Sequence, residues 1–326
     1  MRPLNLLLML MGLAVSVFLT LNGCSEDDDD SDYIPIEGAG TLIFNANGEG
    51  FVHDGFKSED GWNIEFDHVF VNIEGSTAYQ VAEDSSKAAR HAGHPHSDIP
   101  EGAAHIALSG QYFLDLKQTG DNPVFEVGRI ENAPIGNYNY LNFNIVQIPD
   151  DASGDAADYT GYSLILIGVA TYGDPVTENI NFSIKLEEEL TFYNCGPLLD
   201  LDEDGTNDGV LAAGGEAKTE MTFHFDHIFG DWGETGDDPE PTDSEEINFW
   251  GIGFNPFYTM LPGSDFDIDG NPDGGLNGSF VITETNMKDG GDGLAPMPNA
   301  DYFQLTATLN TLGHTGEGHC LCRDVE

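Results

Sequence analysis

This chain predicts an all-β fold, an antiparallel β-sandwich with long acidic loops. Three features carry the expectation: helical periodicity is nearly absent, short β-type runs recur, and Gly, Asp, Asn and Pro separate them. The runs fall at 41–46, 62–73, 104–116, 123–129, 137–148, 162–171, 178–194, 218–229, 247–254 and 302–309. Each alternates apolar with polar residues or is apolar on both sides, as strands that bury one or both faces do. Acidic segments at 149–160, 230–246, 263–276 and 286–300 lie between them and read as loops. The expected organisation is a leader over 1–23, an acidic tether over 24–40 and a β-sandwich over 41–326. An internal echo adds a second possibility. Phe66-Asp67-His68-Val69-Phe70 returns as Phe225-Asp226-His227-Ile228-Phe229, so two related halves, about 41–195 and 210–326, stand against a chance match. On strands, Phe66, His68 and Phe70 would share one face, and Phe225, His227 and Phe229 likewise.

The leader carries one early charge, Arg2, then an apolar run from Leu4 to Leu21 that ends at Leu21-Asn22-Gly23-Cys24. A short positive region followed by an apolar stretch is a secretory signal. The tetrapeptide resembles the bacterial lipoprotein processing site, which implies cleavage before Cys24 and lipidation of its sulfur. The alternative is an uncleaved anchor helix, because the run nearly spans a bilayer. Ser25 in place of an aspartate implies the outer membrane, with the folded part facing periplasm or exterior. The run Glu26 to Asp32 has no apolar partner and reads as a solvated tether.

Ten Lys and Arg stand against 58 Asp and Glu, a formal net charge of −48. Such a field repels nucleic acid, which it excludes as a partner, and it attracts divalent cations. Two stretches have the spacing to hold them. Asp200, Asp202, Asp204 and Asp208 form one D-x-D-x-D-G-x-x-D-G pattern; Asp265, Asp267, Asp269 and Asp273 form the other. Alternate carboxylates on a tight loop converge on one point, and the glycine after the third lets the chain turn around a hard, oxygen-seeking ion. Ca²⁺ is the expected ligand, against an ion-free acidic turn. Leu211 and Leu276 stand where an EF-hand places its bidentate Glu, so these loops resemble those of dockerins and thrombospondin-type repeats more closely.

Of ten histidines, His91, His94 and His96 crowd one segment, and His68 and His227 occupy the echo. His224 stands beside it, and His314 and His319 punctuate the C-terminal GHTGEGHC. Neutral imidazole is the commonest ligand of zinc and copper. The expected site joins His68, His227, His314 and His319, with His224 or Glu317 in reserve; the alternative is packed core histidines. On strands, Asp67 and Asp226 would point away from their neighbouring histidines and could not orient them. With Cys24 taken by lipid, a Cys195–Cys320 disulfide is expected in an oxidising compartment, Cys322 being able to replace Cys320. A soft-metal site at the C-x-C pair is the rival reading.

No G-x-S-x-G, H-E-x-x-H, Walker or Rossmann pattern occurs, so the chain reads as a binding protein and not an enzyme, a metal-dependent enzyme ranking third. Trp62, Trp232 and Trp250 read as packing residues, a sugar platform being the other use. The stretch Gln111 to Ile148 has a cadence of its own. A QYFLDL strand, a polar gap, a strand ending in Ala133-Pro134-Ile135-Gly136-Asn137-Tyr138 and an alternating strand follow one another, with an aromatic-rich strand, Phe66 to Ile73, before them. In this it resembles uncharacterised bacterial β-sandwich lipoproteins and the methanobactin-associated periplasmic protein family, whose members are linked to copper. That resemblance implies a β-sandwich and copper as a candidate ligand. The function expected from the sequence is a lipid-anchored envelope protein binding Ca²⁺ at the Asp loops and copper or zinc at a His site. A calcium-stabilised surface or adhesion module is the main competitor.

Overall fold

The computed structural model describes residues 38–81, 99–117, 124–197, 208–230, 251–267, 270–315 and 318–324, with the backbone of two short strands, Ala89–His91 and His94–His96. The leader, Cys24, the tether up to residue 37, Asp200, Asp202, Asp204, Asp269, Trp232 and Trp250 lie outside the described residues; the end expected of the tether, Ala39–Gly40, already belongs to a strand. The unit spanning Ile36–Glu326 is mostly β. No helix among the described residues is long and apolar enough to cross a membrane.

Two sheets organise it. The smaller runs in the order Gly318–His319, Gly313–Thr315, Glu216–Phe223, Ala39–Asn47, Val124–Pro134. The larger has a spine in the order Asn277–Thr283, Glu178–Leu186, Leu164–Tyr172, Asn63–Gln80, Tyr140–Ile145, Leu190–Cys195, Leu321–Asp324. The sheets are mixed, which corrects the purely antiparallel expectation. Ala39–Asn47 runs parallel to Glu216–Phe223, and Glu178–Leu186 runs parallel to Asn277–Thr283. Each parallel pair joins segments far apart in sequence, a pairing that local alternation does not encode. One continuous apolar cluster takes Leu42, Phe44 and Phe223 from the smaller sheet and Phe66, Val71, Phe143 and Phe192 from the larger. Phe143 meets Phe223 edge-on at 5.5 Å, and the Ser76 hydroxyl lies 3.3 Å from the Met221 sulfur, so the two sheets touch through this cluster.

Four sequence expectations change in three dimensions. The first is the shared face of Phe66, His68 and Phe70. Pairing with Leu164–Tyr172 shifts register between Gly168, which faces Phe66, and Ile167, which faces His68, leaving Asp67 as the extra residue of a bulge. Beyond it the faces exchange: Phe66, Val69 and Val71 enter the main cluster, while Phe70 joins a second cluster with Ile148 and Ile165. The second is the strand expected over 218–229, which ends at Phe223 and gives way to the helical turn Asp226–Phe229. The echo is therefore a strand in one copy and a helical turn in the other. The third is the strand expected over 302–309, which is helix Asn299–Leu309. Its buried residues Leu305, Thr308 and Leu309 keep helical spacing, and Phe303, which alternation pairs with Leu305, is 74 % exposed. The fourth is the loop expected over 286–300, which holds at 290–298 while its two ends belong to helices Glu284–Asp289 and Asn299–Leu309. Helix Glu284–Asp289 begins with a reciprocal Thr283–Asn286 capping box, and its buried Glu284 accepts from the Tyr302 hydroxyl and the Lys288 ammonium.

A disulfide joins Cys195 to Cys320 with a 2.07 Å S–S bond and leaves Cys322 half-buried two residues on. It fastens the C-terminal segment to the end of Leu190–Cys195. Phe192, on the same strand, packs so closely on Gly313 that a Cβ there would come within 2.4 Å of its ring. The hairpin carrying His314 is thus fixed to the larger sheet at two points.

Candidate metal centre

The strand Glu216–Phe223 delivers His224, and the chain then turns. His227 N–H donates to the His224 carbonyl and Ile228 N–H to the Phe225 carbonyl. The turn is helical because Phe225, Ile228 and Phe229, spaced three and four apart, are all fully buried. Burying them puts His224 and His227 together on the other side, their rings stacked 4.9 Å apart. His314 arrives from Gly313–Thr315, whose register pairs it with Thr222. Its ring centroid is 4.2 Å from that of His224 and 5.7 Å from that of His227.

Two carboxylates enclose His224. Glu49 Oε1 lies 3.3 Å from Nε2, and Asp226 Oδ1 lies 3.8 Å from Nδ1. Asp226 is buried and, from its helical turn, reaches back toward His224, two residues before it. Glu49 is held at φ 56°, a left-handed backbone that costs a non-glycine residue roughly 1–2 kcal/mol. The Asn47 side chain, 2.7 Å from the Glu49 N–H, supports that conformation.

Hydrogen bonds fix which imidazole nitrogen carries the proton. His227 Nδ1 lies 3.1 Å from both the carbonyl and the hydroxyl oxygen of Thr311. That hydroxyl already donates to the Thr308 carbonyl, so it can only accept from His227. His227 therefore donates from Nδ1 and has its lone pair on Nε2. His314 Nε2 lies 3.2 Å from the same Thr311 carbonyl, which places its lone pair on Nδ1. A carbonyl behind each imidazole is the usual way a protein orients metal-ligating histidines.

His224, Asp226 and His227 each offer a ligand atom, all within 4.8 Å of one another. Two ligands of one tetrahedral zinc stand roughly 3.4 Å apart, so an ion would draw these side chains inward. His319 faces His314 across the hairpin in backbone register, its side chain lying outside the described residues.

The other expected site residues are elsewhere. His68 stacks on Phe70 and hydrogen-bonds Asp115 at 2.7 Å, half exposed on the opposite side of the larger sheet from the main cluster. In the second Asp loop, Asp273 N–H donates to the Asp265 carbonyl, and Asp267 receives the Asn271 backbone and side-chain amides. Of the first Asp loop only Asp208 is described; its carbonyl accepts from Lys218 N–H. Trp62 is fully buried, its indole N–H donating to Asn255, so it packs and forms no platform. Glu49 and Thr311 were not singled out from sequence. Neither carries a motif; both are recruited by pairings that span long stretches of chain.

No protein family model, curated protein or solved structure matches the chain. Its class is defined by its own features, a β-rich protein with a semi-buried cluster of three histidines and two carboxylates.

Proposed function

We propose that this protein is a lipid-anchored metal-binding protein of the bacterial cell envelope, a β-sandwich that holds copper or zinc at His224, His227 and His314. The observation that carries the reading is the convergence of three imidazoles, two of them backed by one threonine carbonyl, beside the buried Asp226. Imidazole with one carboxylate suits zinc or copper better than the hard cations. His319, the backbone partner of His314 across the hairpin, is proposed as a further ligand. His68 is left out of this centre, since its partner is Asp115.

Two further elements belong to the same reading. The aspartates of the two D-x-D-x-D-G-x-x-D-G stretches hold Ca²⁺ structurally, with extracellular-type affinity on the order of 10⁻⁴ to 10⁻³ M. Cys24 carries the lipid that attaches the protein to the outer membrane, its only proposed partner. Replacing Cys24 with Ala removes incorporation of labelled palmitate by the expressing bacterium; label retained on that variant speaks against the anchor.

Elemental analysis of untagged protein, before and after chelation, tests the metal reading. Copper or zinc in stoichiometric amount is expected, lost in His227→Ala and His314→Ala while circular dichroism stays native. Histidines that merely pack would give the opposite pattern, unfolding without any metal to lose. Calcium as the only retained metal would favour the surface or adhesion module, the reading to which the paired Asp loops lend weight.

A further inference from the structure

At the Asn63 end of Asn63–Gln80 a cleft of about 770 Å³ opens, lined among others by Lys57, Asp60, Asn63, Tyr172, Asn255 and Asn271. We propose that it binds a neutral carbohydrate. It is separate from the histidine cluster, and nothing in the proposed metal-binding function uses it.

The polar groups of this cleft are firmly held. The Asp60 carboxylate accepts the Ser58 hydroxyl and the Asn255 backbone N–H, each at 2.6 Å. Asn255 accepts the Trp62 indole N–H at 3.0 Å, and indole only donates, so the amide oxygen is fixed toward Trp62 and the NH₂ points away from it. Asn271 accepts the Tyr172 hydroxyl at 2.9 Å and donates to Asp267, which fixes its amide in the same manner. Tyr172 rests against the buried Trp62, ring centroids 5.4 Å apart. Gly61, at φ 91°, keeps the wall open: a Cβ there would meet the Tyr172 ring at 3.3 Å.

Preset amides and a carboxylate around one tyrosine ring match adjacent sugar hydroxyls, which each donate and accept, and the apolar face of a pyranose. An apolar ligand would leave this wall unsatisfied. An anionic ligand would meet Asp60 and a chain of net charge −48, with Lys57 the one cation in the lining.

Affinity electrophoresis of the detergent-solubilised full chain in gels containing dextran, laminarin or mannan, with alginate as acidic control, tests the proposal. Retardation in at least one neutral polysaccharide is expected, with none in alginate. Asn63→Ala and Asn271→Ala, both at exposed positions, should each weaken it about tenfold with native circular dichroism, and His227→Ala should leave it unchanged. Absence of retardation in every neutral gel, retardation of both Asn variants as strong as that of the parent protein, or preference for alginate would overturn the proposal.

Discussion

Glu59 shows how burial converts a carboxyl into a pH-dependent element of stability. Its backbone N–H donates to the carbonyls of Phe229 and Gly230, next to the helical turn that bears His227. Burial, assisted by the charge of Asp60, pushes its carboxyl up to about 7. A raised acid favours the folded state fully below its unfolded value near 4.5, and that contribution disappears as pH rises through about 7. Glu59→Gln should therefore match the parent protein in melting temperature near pH 4 and exceed it at pH 8. A difference that ignores pH would show that Glu59 does not titrate in this window. Glu178 is fully buried and is held by hydrogen bonds. Its oxygens accept Gly275 N–H at 2.6 Å, Leu276 N–H and the Tyr258 hydroxyl, tying the second Asp loop to the larger sheet. Glu178→Ala leaves those donors without a partner and should cost roughly 2–4 kcal/mol in urea unfolding, whereas Glu187→Ala at a more exposed position should cost far less.

At the scale of elements, the helix Asn299–Leu309 separates two residues that a strand would put side by side. Leu305→Ala should cost roughly 2–4 kcal/mol, and Phe303→Ala, at a 74 % exposed position, close to nothing. Equal costs would return the segment to the period-two reading. The same ambiguity governs what the sequence makes legible. Leu164–Tyr172 emerges from its β-branched and aromatic residues and Glu178–Leu186 from strict alternation about two Ile and a Phe, neither with a competing helical pattern. The segment Phe225–Phe229 fits both periods, and only the demand that Phe225, Ile228 and Phe229 all enter the core decides for a helical turn. His224, His227 and His314 were legible as candidates from chemistry, but their assembly was not. It needs Glu216–Phe223 paired with Ala39–Asn47 in parallel and with Gly313–Thr315 across about ninety residues, contacts that no local pattern announces. The bulge at Asp67 was equally hidden, and it is what sends His68 away from the cluster. Cysteine arithmetic suggested the Cys195–Cys320 bond, which closes a sequence separation of 125 residues. Replacing both cysteines with Ser should cost up to about 5 kcal/mol by chain entropy, and by loosening the hairpin should also weaken zinc retention at His314; zinc affinity unaffected by the double substitution would mean that Phe192 packing alone holds the hairpin.

For the molecule as a whole, charge is the dominant unspent term. Ten Lys and Arg cannot pair with 58 acids, so the compact chain carries a large self-repulsion. Salt screens this field over about 10 Å at 0.1 M, and melting temperature should climb with NaCl. Bound ions act differently, since they stabilise by their affinity for the folded state alone. At about 10 mM Ca²⁺ and the proposed affinity, each occupied Asp loop adds roughly 1.4–2.7 kcal/mol, or roughly 2–5 °C for a chain of this size. The two effects separate when CaCl₂ is compared with NaCl and MgCl₂ at equal ionic strength. Calcium should raise the melting temperature beyond either, and Asp267→Asn, which alters a loop carboxylate without disturbing the core, should reduce that excess by the share of one loop. If the three salts act alike, the aspartate stretches screen like any acidic surface and hold no ion. Should calcium act alone and the Asn variant leave its effect intact, the ion sits at carboxylates other than those of the second loop.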